Sequence, residues 1–335
     1  MTPGRRAVVT VLLPAFDAER TLGACLSSLL AQTEPRWRCI LVDDGSRDAT
    51  LARARAFAAR DPRIEVVATE HRGLVAALTT ALARATTPFV ARMDADDVMH
   101  PDRLRAQLAA LAAAPRVAAV GCHVRLFPPS DGMRAYERWL NAIASPAAVR
   151  AEAFVECPVA HPTLVARTSV LRAFGYRDVG WPEDYDLVLR LLAAGHEVGV
   201  VPRPLLAWRD GPGRLSRTHP RYALARFTAC KAAFLAAGFL AGGHEYVLWG
   251  HGATGRALRR ALAAHGKRPS HVVEVHPRRV GQRIGGAPVV GVEALGRLPR
   301  RPLVASVAGA GPRAEIRAAL ARLGLVETRD FVCAA

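Results

Sequence analysis

Three acidic groups along this chain are spaced so that they could do chemistry: Asp43-Asp44, Asp94-Ala95-Asp96-Asp97 and Glu183-Asp184. On an extended segment residues i and i+2 point the same way, so Asp94 and Asp96 can converge on one ion. A carboxylate cannot hold a phosphate directly. It can do so through a divalent cation, which takes oxygen ligands and bridges to diphosphate oxygens. A second carboxylate on a rigid element, here Asp184 or Glu183, could accept the proton of an attacking hydroxyl. Together they suit removal of a group from a diphosphate whose charge is stabilised as it leaves. The run Gly250-His251-Gly252-Ala253-Thr254-Gly255 is the other chemical pattern, since glycines at this spacing let backbone approach a pyrophosphate.

The elements that must position these residues follow from hydrophobic patterning. The 335 residues are 51% hydrophobic and 22% charged, enough for packed cores, and roughly 100–200 residues per domain predicts two domains. Ala7 to Leu13 is a continuous β-branched run closed by Pro14. It reads as a strand buried on both faces of a parallel sheet, not as a signal sequence. Arg38–Val42, Arg63–Ala68 and Pro88–Met93 read as further strands. Helical spacing over 19–32, up to Arg60, and over 73–85 separates them. Strand–helix alternation predicts βαβ units in a parallel α/β sheet. Asp43-Asp44 and the Asp94–Asp97 run each follow the carboxyl end of a strand, where open α/β sheets bind ligands.

The segments VTVLLPAFDAERTLGACLSSLLAQ, ILVDDGSRDAT and RMDADDVMHPDRL closely resemble the family 2 glycosyltransferases, which have the GT-A fold. CPVAHPTLVARTSVLRAFG and WPEDYDLVLRLLAAG resemble the acceptor-side half of the same family, so the resemblance covers about residues 7–215. It implies an inverting transfer of a sugar from a nucleotide-sugar donor, assisted by Mg²⁺ or Mn²⁺. By position it implies nucleotide contacts at Pro14, Phe16 and Glu19, and a base contact, often to uracil, at Asp44. It implies Asp94 and Asp96 at the metal and diphosphate, with Asp96 the direct ligand, and a catalytic base at Asp184 of the Glu183-Asp184 pair. Arg214 falls where the family has basic residues near the diphosphate. Asp17 and Thr79 stand where the family often has Asn, a departure that concerns donor contacts.

Pro182 suits the opening of a helix and Glu183-Asp184 its first turn, with Leu187, Leu191 and Leu192 as the buried face. His161, before Pro162, reads either as a strand-entry histidine bonded to backbone or as a wall of the acceptor site.

Past a connecting helix expected over 219–237, Glu245–Trp249 and Ser270–Val275 read as strands. The glycine run lies between them and Glu274 near the end of the second, which fits the dinucleotide fingerprint. Leu303–Val307 reads as another strand, followed by Gly309-Ala310-Gly311. This segment resembles small Rossmann-like nucleotide- or CoA-binding modules, including its Gly286-Ala287-Pro288-Val289 stretch. It implies a nucleotide such as NAD at Gly250, Gly252, Gly255 and Glu274. The expected organisation is a GT-A domain over 1–218, a connecting helix and linker over 219–242, and a Rossmann-like domain over 243–335.

Composition narrows the partners. The formal charge is +17, yet of 46 basic residues only Lys231 and Lys267 are lysines. The arginines are dispersed, with few aromatics between them, which disfavours nucleic acid and leaves a loose attraction to anionic lipid or diphosphate. None of the six cysteines forms a C-x-x-C pair, so neither a zinc site nor a disulfide framework is expected. No apolar run approaches the ~20 residues of a membrane-spanning helix. A cytoplasmic enzyme, peripheral at the inner membrane face, is expected, with a glycan, lipid-linked or small-molecule acceptor. A nucleotidyltransferase would be expected to have a glycine- and arginine-rich loop after the first strand, where this chain has Pro14-Ala15-Phe16-Asp17. A non-enzymatic sugar-nucleotide sensor is the alternative from another class.

Overall fold

The computed structural model describes residues 6–128 and 131–335. They form two compact units. The first comprises Met1–Val149, Val159–Val179 and Arg190–Arg214; the second comprises Arg150–Pro158, Gly180–Leu189 and Leu215–Ala335.

The first unit is built on an eight-stranded mixed sheet. Its strands are β1 (Val9–Ala15), β2 (Trp37–Asp44), β3 (Ile64–Thr69), β4 (Phe89–Arg92), β5 (Val98–Met99), β6 (Val117–Phe127), β7 (Val165–Arg167) and β8 (Glu197–Arg209). The order is β3-β2-β1-β4-β7-β6-β8-β5. Strands β3, β2, β1 and β4 are parallel, joined by the expected helices Leu22–Leu30, Thr50–Ala58 and Leu74–Arg84. Every residue of β1 is buried, as a strand covered on both faces requires. The rest of the sheet departs from the all-parallel expectation, because β7 runs antiparallel to both β4 and β6, and β5 antiparallel to β8. These short strands carry too few residues for periodicity to declare them.

A buried polar suture fixes the end of β4. Arg103 and Gln107 share one face of the helix Arg103–Ala113. Arg103 Nη2 donates to the Arg92 carbonyl at 2.8 Å and its Nε to Gln107 Oε1 at 3.0 Å. Gln107 Nε2 donates to the carbonyls of Thr163 and Val120 at 2.8 and 3.1 Å. Buried donors must find acceptors, and here they find those of β4, β6 and the 3₁₀ turn His161–Thr163.

The second unit has a six-stranded sheet of β9 (Glu245–Trp249), β10 (Arg268–Val273), β11 (Arg283–Ile284), β12 (Ala287–Val290), β13 (Leu303–Ala305) and β14 (Phe331–Cys333). Its order is β11-β12-β10-β9-β13-β14, parallel except for the β11–β12 hairpin. Alternate residues of β9 feed two cores. Tyr246 and Leu248 pack with Leu235, Leu258 and Leu262; Val247 and Trp249 pack with Ile316, Leu320 and Phe331. Phe154 joins the first core and Val155 the second, so residues 150–158 complete a unit far along the chain. The connecting helix is shorter than expected. It runs over Leu224–Ala237 and is preceded by a 3₁₀ turn, Pro220–Tyr222.

Candidate active site

The first corner of the site is built where β1 and β2 end. Asp44 closes β2 and is 3% exposed. Its Oδ1 accepts from the Arg72 backbone N–H at 2.9 Å and its Oδ2 from that of Gly73 at 2.8 Å. His71 Nδ1 lies 2.9 Å from the same Oδ2, and the His71 ring stacks on Phe16 with centroids 4.2 Å apart. Gly45, with φ of 73°, makes room for this loop, since a Cβ there would lie 2.6 Å from His71 N. Phe16 and Asp44 are thus brought together by His71, which has no motif of its own and which sequence reasoning missed. Glu19 serves the same corner differently: its Oε2 accepts from Ala49 N at 3.0 Å and clamps the loop after β2. Asp17 Oδ1 does likewise for Arg47 N at 2.8 Å. Pro14 is buried within β1, opposite Val42. Thr79 Oγ1 donates to the Val75 carbonyl one helical turn back.

The second corner is the acidic turn after β4. Ligand oxygens of Asp94, Asp96 and Asp97 all lie within 4.8 Å of one another. Asp94 pairs with the buried Arg92. Asp97 Oδ1 accepts from the Arg209 backbone N–H at 2.7 Å, and Asp97 Oδ2 is buried with no hydrogen-bond partner among the described residues. Arg209 Nε donates to the Asp96 carbonyl at 2.8 Å. Burial, then the charge of Asp94, pushes the Asp96 carboxyl up to about 6; Arg92 and Arg214 oppose this. Burial, then the charges of Asp94 and Asp96, raises Asp97 well above the carboxylate range. Arg214 stacks over Trp208 at 4.2 Å, 3.8 Å from Asp210.

Three crowded carboxylates, one with a buried and unpartnered oxygen, form a set of hard oxygen donors, and such a set fits Mg²⁺ or Mn²⁺. Like charges this close raise one another's proton affinity, and a divalent cation relieves the same repulsion. Asp97 stood in the sequence motif without an assigned role; its burial is what marks it.

The second unit holds the Glu183-Asp184 pair at the start of the helix Glu183–Ala193. Glu183 is 1% exposed and accepts from Tyr222 Oη at 2.9 and 2.7 Å, with Arg221 Nη1 at 3.6 Å. Asp186 is fully buried and accepts from Trp181 Nε1 at 3.1 Å. Asp184 is the most open of the three, its Oδ1 accepting from Tyr185 N at 2.7 Å. In the first unit, His161 is buried in a 3₁₀ turn with Nε2 3.1 Å from Tyr176 Oη. The second unit also places Gly250 and Gly252 in the loop after β9 and Gly255 in the first turn of the helix Ala253–Ala263, and brings Glu274 to that loop, where its Oε1 accepts from His251 N at 2.8 Å.

Residues 10–174 match the family model of Glycosyl transferase family 2. The amylovoran biosynthesis glycosyltransferase AmsE of Erwinia amylovora is 31% identical over 212 residues, 62% of this chain and 78% of AmsE. The enzyme WfgD of Escherichia coli, a UDP-Glc:α-D-GlcNAc-diphosphoundecaprenol β-1,3-glucosyltransferase, is 34% identical over 102 residues, 30% of this chain and 40% of WfgD. Two solved structures share the fold. TarS of S. aureus, residues 1–349 with UDP, has a TM-score of 0.54 at 15% identity, covering 77% of this chain and 71% of that one. The Pyrobaculum calidifontis mannosyltransferase PcManGT, with GDP-Man and Mn²⁺, has a TM-score of 0.50 at 21% identity, covering 97% and 82%.

Proposed function

The chain belongs to Glycosyl transferase family 2, and on that premise we propose that it is an inverting, metal-dependent enzyme that moves a sugar from a UDP-sugar to an acceptor hydroxyl. The observation that carries the reading is the convergence of Asp94, Asp96 and Asp97 within 4.8 Å. When bound there, Mg²⁺ or Mn²⁺ would supply counter-charge for a departing diphosphate. The Mn²⁺ found with GDP-Man in PcManGT supports the same reading.

The chain's own residues divide the remaining work. Phe16, stacked on His71, offers an aromatic face to a nucleobase beside Asp44. Arg214, held over Trp208, offers a guanidinium to phosphoryl oxygens. Asp184 is the base. The acceptor oxygen bonds to the anomeric carbon as the bond to the diphosphate oxygen breaks, and Asp184 takes the hydroxyl proton. Attack opposite the leaving group inverts the anomeric centre. Glu183, tied to Tyr222 and Arg221, positions the turn that carries Asp184.

The relatives favour polysaccharide or glycoconjugate synthesis, and the acceptor named for WfgD is lipid-linked. No described helix is long and apolar enough to cross a membrane. A formal charge of +17 suits peripheral attraction to an anionic inner membrane face. The organisation that goes with this is a GT-A domain over 1–218 and a Rossmann-like domain over 243–335. The test is release of nucleoside diphosphate from UDP-, GDP- and dTDP-sugars, each with Mn²⁺ and with EDTA. UDP-sugars are expected to be turned over fastest, and only with the metal.

A further inference from the structure

The acidic turn follows the carboxyl end of β4. A cleft of about 650 Å³ lies at the other end of that strand, in the same unit. Strand β4 runs parallel to β1 and antiparallel to β7. The chain therefore enters β1, enters β4 and leaves β7 at one edge, and residues 6–8, 86–89 and 167–172 line the cleft there.

The charge of the cleft has one sign. Arg6, Arg167 and Arg172 line it, and no Asp or Glu does. Arg167 Nε donates to the Val117 carbonyl at 3.0 Å and its Nη2 to that of Leu111 at 2.8 Å. Arg172 Nη2 donates to the Ala85 carbonyl. These acceptors are neutral, so they fix the two side chains and leave the guanidinium charges uncompensated. Arg6, just before β1, is exposed.

Two threonines of the cleft are equally buried, at 6% exposure each, and differ in what they bond. Thr87 Oγ1 is satisfied within the fold, 2.7 Å from both Thr10 Oγ1 and the Phe89 carbonyl. Thr168 Oγ1 is buried and has no hydrogen-bond partner among the described residues. A buried hydroxyl left unbonded costs stability, and native folds satisfy such groups with protein, water or ligand. Guanidinium groups only donate, whereas a hydroxyl can donate too. The ligand that satisfies all of them at once is an anion rich in acceptor oxygens, and arginine forks match a phosphate. Pro88 and Phe89 add apolar wall for the group that carries it.

We propose that this cleft binds a phosphate-bearing ligand, with Thr168 Oγ1 donating to a phosphoryl oxygen and Arg6 and Arg172 supplying counter-charge. The site is separate from the acidic turn and fails independently of the transferase reading. The test is calorimetric titration of the full chain with inorganic phosphate and with pyrophosphate, in EDTA and at constant ionic strength. Sedimentation with vesicles of phosphatidylcholine, with and without phosphatidylglycerol, runs beside it. Thr168→Val and Arg6→Gln should each weaken binding roughly tenfold, and Arg214→Gln should leave it unchanged. Thr168→Val should not lower the melting temperature in phosphate-free buffer, because Oγ1 bonds nothing in the fold. Anionic-vesicle binding that both substitutions weaken assigns a lipid headgroup; titration that both weaken, with vesicle binding indifferent to them, assigns a soluble phosphate. The proposal is overturned if nothing binds or if neither kind of binding is weakened by both substitutions. It is also overturned if binding is lost in Arg214→Gln, or if Thr168→Val melts lower without phosphate.

Discussion

Arg209 holds Asp97 in place: its backbone N–H donates to Asp97 Oδ1 at 2.7 Å, while its Nε donates to the neighbouring Asp96 carbonyl at 2.8 Å. A residue at the end of β8 thus fixes a turn that is distant in sequence. The same arrangement leaves Asp97 Oδ2 buried without a partner among the described residues. The turn is preorganised, and crowding its carboxylates costs stability.

Asp97→Asn should therefore separate stability from function. An amide keeps the acceptor for Arg209 N, removes the cost of burying an acid beside Asp94 and Asp96, and can donate toward either. The metal-free protein should gain on the order of 1 kcal/mol, which is about 2–4 °C for a unit of this size. The further gain on adding Mn²⁺ should shrink. A lower melting temperature in the metal-free variant would contradict this account of the turn.

The two acids at the start of the helix Glu183–Ala193 should respond differently. Asp184→Asn should keep donor binding and reduce transfer by ~10²–10⁴-fold. Glu183→Gln, which disturbs a buried carboxylate accepting from Tyr222, should cost about 1–3 kcal/mol of stability and change turnover less. Melting curves and kcat for both variants check the pair. A large kcat loss confined to Glu183→Gln would move the base to Glu183.

His71→Ala removes the ring that stacks on Phe16 and faces Asp44. The donor KM should rise several-fold, since the ring pair that holds Phe16 for the base contributes about 0.5–1.5 kcal/mol, while kcat changes little. Steady-state kinetics at saturating acceptor decide it. An unchanged KM would remove His71 from the nucleotide corner.

Much of this was legible because strand and helix periodicities are strong where β1 to β4 alternate with helices, and Asp43-Asp44 and the Asp94–Asp97 run fall at strand ends. The chemistry of Asp94-x-Asp96 was visible in its spacing. What was hidden depends on distant chain. His71 becomes informative only once the loop after β3 folds back onto Asp44. Asp97 differs from its neighbours only by burial. The bonds from Tyr222 to Glu183 join residues 39 apart. Residues 150–158 carry no periodicity of their own and enter the second unit through Phe154 and Val155. Antiparallel β5 and β7 span two and three residues, too short for alternation to register.

Lys231 gives a pH signature for the second unit. Its Nζ donates to the Val155 and Ala334 carbonyls at 3.0 and 2.9 Å, and burial pushes the ammonium down to about 8, against the opposing charges of Glu156 and Cys230. A lysine whose folded value lies below its unfolded one binds its proton less tightly when folded, so stability rises with pH between the two values. Here that window is about 8 to 10.5. Other titrating groups are common to a Lys231→Met variant and cancel in the comparison. The melting temperature of the wild type should gain on that of Lys231→Met as pH rises through the window. A constant difference would contradict the assignment.

The central claim is that the Asp94–Asp96–Asp97 turn drives sugar transfer through a divalent cation, and turnover of a UDP-sugar under metal control tests it most directly. UDP release should fall to background in EDTA, return with Mn²⁺, and drop by ~10²–10³-fold or more in a folded Asp96→Ala variant. Undiminished release in EDTA, or wild-type turnover by Asp96→Ala, would contradict the claim.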